Sequence, residues 1–377
     1  MGYLLNEDQK AIVASVKEFM EKEVAPICAE CDRTGELPQE AYRKAFDMGL
    51  HCMEIPEEFG GAGMDYMTVA AASEEMGKVD AGFATTMGAT GLAIKPVMLA
   101  GTPAQKQMYA DIVTNGKFAA FCLTEPNAGS DAGSCTTSAV RDGDEYVING
   151  RKCFITNGGI ADVYVVFATL DRSKGLKGLT AFIVERDRKG ISTGKEEDKM
   201  GIRLSNTCDV IFEDVRVPVA NRLGEEGEGF KIAMRTLDLS RPFIGAIAVG
   251  ISQRALDEAV SYAKTRVTFG KPIAKLQAIQ FMLADMDIQT EAARQSVIYC
   301  INRIMMGLPY SREAALCKCL AGDTAVKSAL DAIQILGGYG YSREYPVEKL
   351  LRDAKIFQIF EGTNQIQRVV IAGQLLK

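Results

Sequence analysis

The sequence predicts a multi-domain α+β chain in three parts: an N-terminal α-helical domain at 1–116, a middle antiparallel β-barrel or sandwich domain at 117–226, and a C-terminal four-helix-bundle-like domain at 227–377. Three observations carry this. Apolar residues recur at helical spacing through the first third. Between Phe118 and Phe212 the chain turns to short β-branched or aromatic runs separated by turn residues. From Gly229 the helical period returns and holds to the C-terminus.

In the first part, Ile12, Val13, Val16, Phe19 and Met20 come after an acidic first turn, Glu7-Asp8, and mark a helix that Pro26 is expected to stop or to lie just beyond. Pro38 opens another, with Gln39-Glu40 in its first turn. A glycine-rich turn, Phe59-Gly-Gly-Ala-Gly-Met64, leads into a helical pattern at 68–79. The stretch 81–93 is built of small residues, which let either a neighbouring helix or a ligand pack closely. Thr102-Pro103 begins one more helix. In the middle part, strand-like runs fall at 118–124, 145–149, 152–156, 162–170, 179–185 and 208–212, with turn signals at Asp142-Gly143, Asn149-Gly150, Asn157-Gly158 and Lys189-Gly190. No helical pattern intervenes, so an antiparallel arrangement is expected over a parallel sheet. In the last part, helices are expected at 228–263, 274–305, 311–336, 346–357 and 364–376. Several exceed the average of about 11–12 residues, as bundle helices do.

Composition narrows the function. A net charge of −6 argues against nucleic-acid and anionic-membrane partners. No uninterrupted apolar run approaches the roughly 18 residues of a membrane span, so no membrane insertion is expected. The N-terminus has the features of neither a signal peptide nor an Arg-rich transit peptide, which points to the cytoplasm. The ten scattered cysteines read as reduced thiols, and Cys28-x-x-Cys31 lacks the second pair of a zinc site, so no metal is expected. The single histidine, His51, leaves a helix for a short apolar segment and reads as structural. Acid–base work then falls to Glu, Asp, Lys, Tyr or Cys.

Phe360-Glu361-Gly362-Thr363 interrupts the last helical region. Glycine frees the backbone there, and Thr363 can N-cap the final helix. Glu361 is either a loop carboxylate or a poised base. Phe121-Cys-Leu-Thr-Glu-Pro-Asn-Ala-Gly-Ser-Asp131 ends a strand in a polar loop, where Thr124, Ser130 and free amides either cap turns or bind a polar ring or phosphate. Phe154-Ile-Thr-Asn-Gly-Gly159 ends a second strand in the same way, with Thr156 beside the turn. Arg266-Val-Thr-Phe-Gly-Lys271 closes a long helix, as a C-cap or as a phosphate clamp by Arg266 and Thr268. Gly337-Gly-Tyr-Gly-Tyr341, after Gln334, comes after a helix and so is no dinucleotide fingerprint. Arg241, in Leu237-Asp-Leu-Ser-Arg-Pro242, breaks a helical run with a charge.

Those motifs, in that order and at those separations, resemble the acyl-CoA dehydrogenase family across essentially the whole chain. The resemblance implies one FAD per subunit of a homotetramer, with electrons passed to an electron-transferring flavoprotein in fatty acid β-oxidation. It implies that Glu361 is the base that takes the α-proton of an acyl-CoA while the β-hydride goes to flavin N5, giving a trans-2-enoyl-CoA. Thr124 and Thr156 match flavin-ring contacts, and Ser130 matches a contact to the CoA part. Arg266, Thr268 and Phe269, and likewise Gln334 and Gly338, match contacts to the FAD of a neighbouring subunit. Thr363 and Gln365 match further FAD contacts. Asp238, Arg241, Phe360 and Gly362 match the substrate side. By the same analogy 81–96 lines the acyl end. It carries no Arg, which disfavours a glutaryl-type substrate, and Lys95 is its one charge. Leu239-Ser-Arg-Pro242 looks like medium-chain members, whereas Glu197-Asp-Lys-Met-Gly-Ile202 resembles butyryl-type enzymes. A short- to medium-chain straight acyl group is expected of a bacterial enzyme. The alternatives are an enoyl-CoA reductase running in reverse, including on aryl or cyclic groups, and a non-catalytic acyl-CoA-binding protein.

Overall fold

A computed structural model describes residues 3–376. Its N-terminal part holds helices α1 (Glu7–Phe19), α2 (Ala25–Thr34), α3 (Gln39–Asp47), α4 (Tyr66–Val79), α5 (Ala81–Ala100) and α6 (Pro103–Thr114). Thr102 starts α6 as the sequence indicated and closes a capping box, as does Asn6 at α1, and Asp65 and Asp80 accept bonds from the first turns of α4 and α5. Pro26 does not stop the first helix. A π-turn at Met20–Val24 joins α1 to α2, with Ala25 N–H bonding Met20 C=O, and the proline falls in the first turn of α2, where a missing N–H costs nothing.

Helix α5 corrects the reading of apolar runs. By length and composition it could cross a membrane, because its Gly, Ala and Thr residues add little polarity. It is instead a core helix, with 72 % of its apolar window buried. It packs on α7 (Gly229–Thr265) and on the first strand.

The middle domain is an eight-stranded sheet: β1 (Ala119–Cys122), β2 (Ser138–Asp142), β3 (Glu145–Thr156), β4 (Val163–Thr169), β5 (Leu179–Glu185), β6 (Ile191–Thr193), β7 (Thr207–Pro218) and β8 (Arg222–Leu223). The order is β6-β7-β3-β2-β4-β5-β8, with β1 beside β4. Pairing is antiparallel except at β1–β4 and at the single β2–β4 contact, which are parallel. The chain between β1 and β4 is long enough for the crossover that parallel pairing needs. Cys153 N–H also bonds Thr124 C=O at 2.9 Å, so the sheet curls until the end of β1 meets β3.

Asn149-Gly150 is not a turn. Strand β3 runs through it with a register shift, and a Cβ on Gly150 would lie 2.4 Å from Thr137 Oγ1. The glycine is there for close approach of the neighbouring chain. Strands β2, β6 and β8 carried no clear run in the sequence, being short or charged.

The C-terminal part comprises α7, α8 (Gln277–Met305), α9 (Ser311–Leu336), α10 (Val347–Lys355) and α11 (Asn364–Leu375). A two-stranded hairpin, β9 (Val267–Thr268) and β10 (Lys271–Pro272), comes after α7. Arg241 does not break α7. The helix continues through Arg241 and Pro242, both buried.

Candidate active site

After α10 and a short 3₁₀ turn the chain leaves helical geometry at Glu361 (φ 52°) and Gly362 (φ 89°). Thr363 then caps α11, accepting from Ile366 N–H at 3.1 Å. A left-handed glutamate costs about 1–3 kcal/mol and persists only where its surroundings over-determine it. Here Lys318 Nζ of α9 donates to Gly362 C=O at 2.8 Å and Asn364 Oδ1 at 3.0 Å. Gln367 Nε2 donates to the carbonyls of Glu361 and Gly362 at 3.2 and 2.9 Å. Position 362 favours glycine, since φ 89° strains any other residue, and a Cβ there would also press on Gln367 Nε2.

The Glu361 carboxylate faces α7. Oε1 accepts from Ser240 Oγ at 3.0 Å, and Oε2 is buried with no partner. Burial raises its pKa, opposed by the Ser240 bond and by the charges of Lys95, Arg241 and Lys318. Arg241 is held by Asp238 at 2.6 Å, and burial pushes the Asp238 carboxyl up against that attraction. Lys318 is pushed down to about 8 by burial, with Glu361 opposing. As the base that the sequence resemblance implies, Glu361 would have to be deprotonated to act, so kcat/KM of the free enzyme should then rise with pH through an apparent pKa above the ordinary 4.5. A stopped-flow pH profile of flavin reduction that is flat down to pH 4.5 would contradict this.

Ser240 also lines a small, largely apolar cavity between α4, α5 and α7, with Phe243, Val69, Met87 and Gly91 in its walls. Glu54 and Lys95, a buried ion pair, are among its lining residues. His51 lines it too, but its Nε2 bonds Val113 C=O at 2.8 Å, its ring lies 4.3 Å from that of Phe46, and burial pushes its pKa down. That bond and ring contact hold the imidazole in place, while its Nδ1 is buried without a partner among the described residues. The ring of Phe360 packs on Phe357 at 4.9 Å. The ten cysteines are free thiols, and no cluster among the described residues could hold a metal.

Thr156 ends β3 and Thr124 lies just past β1, bonded through its carbonyl to β3; both are half-buried, and neither hydroxyl has a partner among the described residues. The loop after Thr124 is fixed from below by Glu125, which accepts from Lys152 Nζ, Cys135 Sγ, Thr136 and Thr137. Ser130 is exposed in that loop. Arg266 lies 5.7 Å over the Tyr339 ring, which joins the β9–β10 hairpin to the Gly337–Tyr341 turn. Phe269 at the hairpin tip is 92 % exposed with φ 52°. Gln334, Gly338 and Gln365 are exposed as well. No hydrogen bond, ion pair or ring contact among the described residues links this group to Thr124 or Thr156. Two separate sets of free polar groups fit an elongated cofactor held from two sides. Ser240, Lys318, Glu54 and Lys152 escaped the sequence reading. Their only signal was a polar residue in an otherwise apolar helix face or strand or, for Glu54, in a short apolar turn segment.

Models of the acyl-CoA dehydrogenase N-terminal, middle and C-terminal domains match residues 6–117, 120–215 and 227–376. A solved butyryl-CoA dehydrogenase from Megasphaera elsdenii is 46 % identical with a TM-score of 0.97, each chain fully covered. A solved chain described under the electron transferring flavoprotein of Acidaminococcus fermentans is 47 % identical with a TM-score of 0.97, again fully covered. The acryloyl-CoA reductase (NADH) of Anaerotignum propionicum is 45 % identical over 100 % of this chain and 96 % of its own.

Proposed function

This chain belongs to the acyl-CoA dehydrogenase family and is an FAD-dependent oxidoreductase, and from that premise we propose that it converts a short- to medium-chain acyl-CoA to the trans-2-enoyl-CoA, with Glu361 as base. The observation that carries the reading is the buried, unpartnered Oε2 of Glu361 beside Ser240. A carboxylate so placed, with its pKa raised by burial, accepts a proton from a carbon acid that enters the cavity. Strain at φ 52° and the bonds from Lys318 and Gln367 fix where that oxygen points. Arg241 and Lys318 supply positive charge beside the forming acid–base pair.

FAD, when bound, supplies the two-electron acceptor for the hydrogen leaving the β-carbon. Thr124 and Thr156 offer their free hydroxyls to the ring, and Ser130 lies where its exposed loop can meet the CoA moiety. Arg266, Thr268, Phe269, Gln334 and Gly338 reach the cofactor of a second subunit in a homotetramer, and Thr363 and Gln365 add contacts after the base. An exposed Phe at a strained hairpin tip supports that reading, because a large apolar side chain gains by burial in a partner. Arg266→Ala should therefore lower FAD occupancy and weaken the tetramer on dilution, read by the flavin-to-protein absorbance ratio and by sedimentation. Full flavin content in dilute protein would refute the clamp.

Electrons pass to an electron-transferring flavoprotein, a partner supported by the likeness to the Acidaminococcus chain, and the enzyme works in the cytoplasm. The reverse direction, enoyl-CoA reduction, is favoured by one observation, the 45 % identity to an acryloyl-CoA reductase. Anaerobic flavin bleaching by acyl-CoAs from butyryl to dodecanoyl, with aryl and cyclic members, tests the forward reaction. Reoxidation of the reduced flavin by the matching enoyl-CoAs tests the reverse. No response to any thioester would sink both and leave a binding protein.

A further inference from the structure

The cavity beside Ser240 is largely apolar, with His51, Ser73 and Ser240 in its walls and one ion pair. There Lys95 Nζ of α5 bonds Glu54 Oε1 at 2.6 Å and Gly91 C=O at 3.3 Å, and lies 4.8 Å over the Phe243 ring. The two side chains are only 5 % and 12 % exposed. The ammonium thus has two oxygen acceptors and an aromatic face beside it. Glu54 Oε2 has no donor among the described residues, and Glu54 is among the cavity-lining residues.

We propose that the Glu54–Lys95 pair is the polar floor of the acyl cavity and makes the enzyme selective for short acyl groups whose far end carries a hydrogen-bond donor, such as a hydroxyl. The inference rests on Glu361 being the base, because Ser240 joins that carboxylate to the cavity wall. A buried ion pair is weak evidence for stability, since apolar residues of similar volume commonly serve the fold as well. What it adds here is chemistry in the lining of the pocket. An alkyl tail pressed against the pair strips its remaining hydration and leaves Glu54 Oε2 unbonded, which burial penalises. A terminal hydroxyl donates to Oε2 and removes that penalty. A second carboxylate on the substrate finds no free cation, since Lys95 is already paired with Glu54. It would also meet Glu54.

The test is kcat/KM for anaerobic flavin bleaching with butyryl-, 4-hydroxybutyryl-, hexanoyl- and octanoyl-CoA, in the FAD-loaded enzyme and in the Lys95→Met/Glu54→Leu double variant. The natural enzyme should prefer 4-hydroxybutyryl over hexanoyl. The double variant should reverse that preference, moving the ratio by roughly tenfold or more, the scale of discrimination by one group in a pocket. Should that variant lose its FAD or its fold, Lys95→Gln/Glu54→Gln keeps a neutral hydrogen-bonded pair and should still move the ratio toward hexanoyl. Bleaching with an unchanged ratio in a folded variant overturns the floor and leaves the base reading standing. Bleaching by none of the thioesters in the natural enzyme overturns both.

Discussion

Glu361→Gln should keep FAD and acyl-CoA binding while slowing flavin bleaching by about 10²–10⁴-fold, the usual worth of a positioned base. Gln keeps the shape and can still accept from Ser240 Oγ, so the loop held by Lys318 and Gln367 stays in place. The variant should also be slightly more stable at neutral pH. The folded pKa of Glu361 is raised by burial, so its charged form weakens the fold above the ordinary pKa of 4.5. That advantage should disappear as pH falls and the carboxyl is protonated in both states. Rapid-mixing absorbance of the flavin decides it: near-normal bleaching in a folded, yellow Glu361→Gln protein would remove Glu361 as the base.

Lys152→Met should produce the largest loss of stability, about 3–5 kcal/mol, because it strands a buried carboxylate. Lys152 and Glu125 are 0 % and 1 % exposed and meet at 2.7 Å. Burial acts to raise the Glu125 pKa, but the Lys152 charge and the bonds from Cys135, Lys152 and Thr136 outweigh it and hold the carboxyl far below its usual range. A group so depressed contributes stability above its ordinary pKa of 4.5 and loses it as pH falls. The natural enzyme should therefore lose more stability on acidification from neutral pH than a Lys152→Met/Glu125→Gln double variant. Glu125 adjoins Thr124, so the single variant should also release FAD more readily. An unchanged melting temperature and flavin content for Lys152→Met would show that the pair contributes nothing to the loop.

Much of the site was legible because its residues sit at breaks in periodic pattern. Phe360-Glu361-Gly362 interrupts helical spacing, Thr363 has the offset of an N-cap, and Thr124 and Thr156 each end a strand beside turn residues. Other features were hidden for a physical reason. Helices tolerate an interior charge or proline when tertiary partners satisfy it, so Arg241-Pro242 looked like a break and is mid-helix. Gly150 looked like a turn because a glycine that admits a neighbouring strand and one that bends the chain are the same residue.

The sequence by itself determined the α, β, α order, most of the helices, the Thr102 and Thr363 starts, and the placing of Glu361 at a break in helical period. Those are local properties: period, capping offset and residue type act within a few positions of the chain. Only the tertiary structure decided that Ser240 meets Glu361 across 121 residues, that Lys318 holds the Gly362 carbonyl, and that Glu54 and Lys95 share an apolar cavity. Such contacts depend on how helices pack and on which polar groups burial forces together, and neither is written in the spacing of any one segment.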